Sequence, residues 1–198
     1  MRKIKNFKVN LRVKEISRVV KKLIGAVEPS VELEKTIRQR CRFYVKFLVP
    51  SVIYETFSKE ALPFAYEKGA PPKWIAKSVF FVTICDNLYD KYKKDESAFG
   101  EHTCKIVSEI AIDALYQSKK FAQRLISNEA SEENCEISRV VDIPSNLYSE
   151  FSNVVPIDKI GISIESGDIM PKYSTCGLFY WIPSNKKKKE VITQRELL

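Results

Sequence analysis

The chain has 198 residues, of which 44% are hydrophobic and 29% charged, and it carries a formal net charge of +8. That length can bury a substantial core. No apolar run reaches the roughly 20 residues of a membrane span, and the basic, alternating N-terminus MRKIKNFKVNLRVKEI lacks the apolar block of a signal peptide, so a cytoplasmic, membrane-free protein is the expectation.

Residues 5–13 alternate well enough for a strand. Val13, Ile16, Val20 and Leu23 then fall at helical spacing, with Gly25 as the stop. Pro29-Ser30, followed by Glu32 and Glu34, predicts a second helix start. Leu33, Ile37, Cys41, Tyr44 and Leu48 share one face of that helix, which should end before Pro50, while Arg38, Arg40 and Arg42 lie on other faces. The β-branched and aromatic run 52–57 predicts a strand, and the prolines and glycine of 61–72 an irregular connection. The sequence SVFFVTI at 78–84 reads as a buried strand and 86–94 as a short helix.

Residues 101–127 give the longest helical pattern, with Ile106, Ile110, Ala114, Phe121 and Leu125 on one stripe and about 40 Å of length. An acidic loop is expected at 128–136, a strand over 137–143, and a mixed turn or short helix over 145–158. Residues 160–183 read as strand, Ser-Gly-Asp turn and second strand. Lysines 186–189 suit a solvated loop, and 191–198 a last strand or a frayed tail. The predicted class is therefore α+β, a mixed or antiparallel sheet packed against a long central helix and N-terminal helices. No linker divides the chain, so 1–198 is expected to be one domain, with 1–60 as its N-terminal strand and helical portion and 61–198 as its core.

Chemistry is sparsely signalled. The chain has one histidine, His102, expected at the surface in the first turn of the long helix. Its five cysteines (Cys41, Cys85, Cys104, Cys135, Cys176) are scattered, without a C-x-x-C pair. A zinc site, a disulfide framework and a Ser-His-Asp triad all need more than that. P-loop, G-x-G-x-x-G, H-E-x-x-H and G-x-S-x-G motifs do not occur, and six glycines leave no glycine-rich phosphate cradle. No catalytic set and no metal ligands are expected. The lysine cluster lacks interleaved aromatics, so nucleic acid is not the expected partner.

Three segments, in order, resemble the reactivation domain of cobalamin-dependent methionine synthase and its small stand-alone relatives. FVTICDNLY at 81–89 is similar to a V-T-I-G strand-to-helix junction, and SEIAIDALYQSKKFAQRL at 108–125 is similar to the helix that reads A-L-A-E. IGISIESGDIMPKYSTCG at 160–177 carries the closing P-x-x-S-x-x-G spacing. The resemblance implies a groove for S-adenosylmethionine and docking on a cobalamin-dependent methionine synthase or a related corrinoid protein. The chain would then be at most an accessory part of that methyltransferase, meeting cobalamin only through the partner. It implies ligand contacts at Arg139 and Pro144, standing for the ends of an R-P-A-x-G-Y-P loop, at Pro171, Ser174 and Gly177 of the closing motif, and at Tyr180 (or Phe179).

The chain departs from the family pattern at four places. The 139–144 stretch is one residue short and lacks the Gly-Tyr pair, Cys85 replaces the junction glycine, Tyr116 stands where the helix offers a glutamate, and Met170 abuts Pro171. Two alternatives follow: an interaction module that has lost the ligand site, or a basic module for polyanions using residues 186–189 and the arginines of the second helix.

Overall fold

The computed structural model describes residues 1–25, 31–61, 66–84, 88 and 102–184. The expected helix start at Pro29-Ser30, the junction cysteine Cys85, most of the 86–94 helix, and everything after Ser184 lie outside the described residues. Five strands, β1 (Arg2–Lys5), β2 (Ser51–Ser58), β3 (Ala76–Thr83), β4 (Cys135–Ile137) and β7 (Ser174–Pro183), form one sheet in the order β1-β2-β3-β7-β4. Every pairing in it is antiparallel. Two short strands, β5 (Ser163–Glu165) and β6 (Asp168–Met170), make a separate hairpin. Its two turn residues, Ser166 and Gly167, both have positive φ (53° and 88°), the geometry that matches the twist of paired strands.

Among the described residues, the sheet is accompanied by the α-helices α1 (Val13–Ile24), α2 (Val31–Tyr44), α3 (Thr103–Glu132) and α4 (Tyr148–Val154). The class is α+β, as the sequence predicts. Gly25 ends α1 in the left-handed region at φ 69°, and its N–H reaches the carbonyls of Lys21 and Lys22. His102 is exposed immediately before α3.

The expected strand at 5–13 does not form. Its ladder stops at Lys5 because Asn6 turns the chain at φ 57° and donates its N–H to the Pro50 carbonyl at 2.8 Å. Val9 and Leu11 go instead into the helical core as an extended connection. The expected acidic loop is also shorter. α3 runs on to Glu132, because Ala130 is buried and Glu129 accepts from the Tyr54 hydroxyl at 2.6 Å and pairs with Arg2 at 2.6 Å. At 1.5 Å per residue its 30 residues span about 45 Å.

Three apolar clusters explain the architecture. The first half of α3 (Ile106, Ile110, Ala114) packs with Ile16 and Val20 of α1 and Ile37, Cys41 and Tyr44 of α2. Its second half, through Ala122, Ile126 and Ala130, lies on the sheet face made by Val52, Tyr54, Phe80, Phe179 and Trp181. Small helix residues face large aromatics, so the helix seats close to the strands. The other sheet face (Ile53, Val79, Phe81, Leu178, Tyr180) is covered by Phe151 of α4 and by Ile157, Ile160 and Ile162.

Because Ala122 is fully buried against aromatic rings, Ala122→Leu is expected to overpack this seam and cost about 1–3 kcal/mol. Urea unfolding checks it, with the exposed Ala-neutral position Lys120→Ala as a control that should change little.

Candidate functional site

Along β7 the candidates Ser174, Gly177 and Tyr180 recur every three residues, and side chains alternate across a strand. Tyr180 joins the cluster of Val79 and Phe81, whereas Gly177 pairs in register with Phe80, which lies on the α3 face. Ser174 and Tyr180 are separated by about 20 Å of strand. Ser174 donates its hydroxyl to Thr83 at 2.9 Å. Tyr180 is buried, its hydroxyl 3.2 Å from the carbonyls of both Tyr66 and Lys68 and its ring 5.2 Å from Trp74. Burial pushes that hydroxyl up to about 12. Pro171 is buried, and Pro144 is half-buried at the start of a 3-10 turn, Ser145–Leu147.

The edge of the sheet beside β7 is where two candidates come together. The predicted strand at 137–143 is interrupted by a bulge. Ser138 pairs with Tyr180 (N–H to carbonyl 2.8 Å) and Val141 pairs with Leu178 (2.9 and 3.0 Å), so Arg139 and Val140 together oppose Phe179. The Ser138 hydroxyl accepts the Tyr180 N–H at 3.0 Å, doing what a backbone carbonyl would do in a regular ladder. The bulge leaves Arg139 exposed and lays Val140 over Gly177. A Cβ at Gly177 would sit 2.9 Å from the Phe80 ring and 3.1 Å from Val140 Cγ2, so only glycine fits. Arg139 and Gly177 thus share one sheet edge, with Val140 between them, while Ser174, Pro171 and Tyr180 are engaged elsewhere.

Tyr116, on α3, is exposed, and the Arg12 guanidinium lies 4.4 Å from its ring centroid. The same arginine holds Asp113, which is 5% exposed, through its backbone N–H (2.9 Å), Nε (2.7 Å) and Nη2 (2.7 Å). Arg12 directly precedes α1, so the carboxylate also faces the positive end of that helix.

Two features escape sequence reasoning. Lys77 is fully buried in β3, donating to the Tyr66 carbonyl and lying 5.4 Å from the Trp74 ring, and desolvation pulls its ammonium down to about 8. Its place in an apolar strand could have been flagged, but not its partners. The second feature is a cleft of about 880 Å³ between α1, α2 and the segment leading into α1. Val9, Val13, Cys41 and Val45 contribute its apolar lining, and its charged lining is almost wholly basic. Burial pushes the Cys41 thiol up to about 11. Among the described residues no group of three or more His, Cys, Asp or Glu side chains could hold a metal ion.

The fold is similar to that in the crystal structure of the MetH reactivation domain bound to AdoHcy, with a TM-score of 0.60, covering 94% of this chain and 80% of the other at 9% identity. No protein-family model and no curated protein matches the sequence. At that identity the likeness shows a shared fold, in agreement with the architecture that the sequence resemblance implies.

Two outcomes are expected. Gly177→Ala should cost about 1–3 kcal/mol by urea unfolding, and adding Val140→Ala should recover part of it, because one of the two crowding groups is then gone. Between its folded value and its ordinary 10.5, Lys77 has released in the folded chain a proton that the unfolded chain still holds, so stability rises with pH there. Cys41 and Cys176, pushed up to about 11 and about 12, act oppositely above their ordinary 9.0, where the unfolded chain ionises first. Thermal midpoints should therefore climb between about pH 8 and 9 and then decline, and Lys77→Met should lose the climb while keeping the decline.

Proposed function

We propose that this chain is a non-catalytic accessory module of the reactivation type, which takes S-adenosylmethionine and docks on a cobalamin-dependent methionine synthase or a related corrinoid protein. The observation that carries this reading is the extent of the fold likeness, 94% of the chain, to a domain whose crystal structure holds AdoHcy. The ligand is assigned to the sheet edge along the 138–144 segment. Arg139 is exposed there and makes no ion pair among the described residues, so its guanidinium can receive a carboxylate in two parallel hydrogen bonds. Asp142, whose side chain is 83% exposed and paired with Lys119 at 3.4 Å, offers the opposite charge on the same segment. An amino-acid zwitterion needs one of each, and Asp142 would supply what Tyr116 does not.

When bound, S-adenosylmethionine brings the methyl group and the partner's cobalamin receives it. The chain's own contribution is positioning, holding the ligand at an exposed edge that a partner can cover. Pro144 would fix the end of the segment, while Pro171, Ser174 and Tyr180 would act at a distance, by holding β7 and its approach in place.

One observation favours a second reading, an interaction module without a small ligand: Val140 fills the space over Gly177 that a ligand would otherwise approach. Calorimetric titration with S-adenosylmethionine separates the two. Binding is expected, weakened about tenfold or more by Arg139→Ala, the loss of a charged hydrogen-bonded pair worth about 1.5–3 kcal/mol. Absence of heat at millimolar ligand would leave the interaction module. Co-elution with a cobalamin-loaded synthase under reducing conditions tests the docking half, and separate elution would sink it.

A further inference from the structure

The cleft between α1 and α2 is lined by two rows of cations. Lys14, Arg18 and Lys21 are spaced four and three residues apart on α1, so they form a row on one helix face. Arg38 and Arg42, four apart on α2, form a second row, and all five line the same cleft. The one carboxylate in the lining, Glu34, is paired with Lys21, which holds it ionised below its usual range. Arg18 pairs with Glu15 at 3.0 Å. Lys14, Arg38 and Arg42 make no ion pair among the described residues. Like charges at helical i, i+4 spacing oppose folding of the helix that carries them. Two such rows converging on one cavity are therefore a cost that the ion pairs to Glu15 and Glu34 offset only in part.

We infer that this cleft binds a small organic ligand carrying a di- or triphosphate and an apolar body. The charge follows from the lining. The number of phosphates follows from the charge to be matched: Lys14, Arg38 and Arg42 make no ion pair among the described residues, and a di- or triphosphate brings several negative charges to them at once. The apolar body follows from Leu11, Val13 and Val45, half-buried in the lining, which would stay wet beneath a purely inorganic ion. The volume, about 880 Å³, is in the range of small-molecule sites. Recognition would come from guanidinium and ammonium side chains, so the absence of a glycine-rich loop is no obstacle. The site involves none of the residues assigned to S-adenosylmethionine and stands or falls independently of that reading.

The test is calorimetry on the full chain at low salt, with ATP, inorganic pyrophosphate, adenosine and a single-stranded DNA oligonucleotide as probes. ATP is expected to bind in the micromolar range, pyrophosphate about tenfold or more weakly, and adenosine not measurably. Arg38→Gln/Arg42→Gln should weaken ATP at least about tenfold and leave the S-adenosylmethionine titration unmoved. Lys14→Gln/Arg18→Gln, on the facing row, should do the same and guards against one double variant failing to fold. No ATP binding at millimolar concentration, or binding that ignores both double variants, overturns the site. Pyrophosphate binding as tightly as ATP overturns the apolar half of the proposal. DNA binding that ATP does not displace, and that the same substitutions abolish, overturns the small ligand in favour of a polyanion surface.

Discussion

The structure hangs on the close seating of one helix. Over its second half α3 presents Ala122, Ile126 and Ala130 to Phe80, Phe179 and Trp181 of the sheet. Small side chains there let the helix approach the strands, and aromatic rings fill the volume its narrow face leaves. The first half of the same helix leaves the sheet and receives α1 and α2. A single rigid element thus joins two cores, and polar contacts tie it at two places. Near the middle, Asp113 is held by Arg12. Toward the C-terminal end, Glu129 receives Tyr54 and Arg2. A shift of α3 would disturb all of these at once.

The edge beside β7 shows how such a fold can keep its framework while the chemistry at its rim varies. The bulge at Arg139 and Val140 breaks the ladder for one step, and the Ser138 hydroxyl restores the lost hydrogen bond. Backbone pairing resumes at Val141 and Leu178. Because the bulge satisfies its own polar groups, residue changes within it alter what the edge presents and not whether the sheet forms. The fold likeness at 9% identity is consistent with that separation of framework from rim.

The charge distribution adds a second level. The net charge of +8 is not spread evenly. Five cations of α1 and α2 face one cleft, while the acidic side chains of α3 that matter most, Asp113 and Glu129, are consumed by internal contacts. Burial has a different consequence at Lys77, whose ammonium donates to the Tyr66 carbonyl and lies against aromatic faces. Lys77 is therefore a titratable structural group, not a candidate for the ligand sites.

Local pattern alone determined the two N-terminal helices, the long helix, strands β2, β3 and β7, the Ser-Gly turn and the glycine that ends α1. Each is written in periodicity or in a residue's own backbone preference. What the sequence could not decide were relations between distant residues. Arg12 and Asp113 are 101 residues apart, Ser138 meets Tyr180 across 42, and Val140 covers Gly177 only because of a one-residue bulge whose signal is absent from the local alternation. Periodicity puts the arginines of α2 away from its apolar stripe, and only the docking of α1 brought two of them to a cleft shared with a second basic row. Periodicity says which face of an element is charged or apolar. Which element will meet that face is settled by packing, and packing is a property of the whole chain.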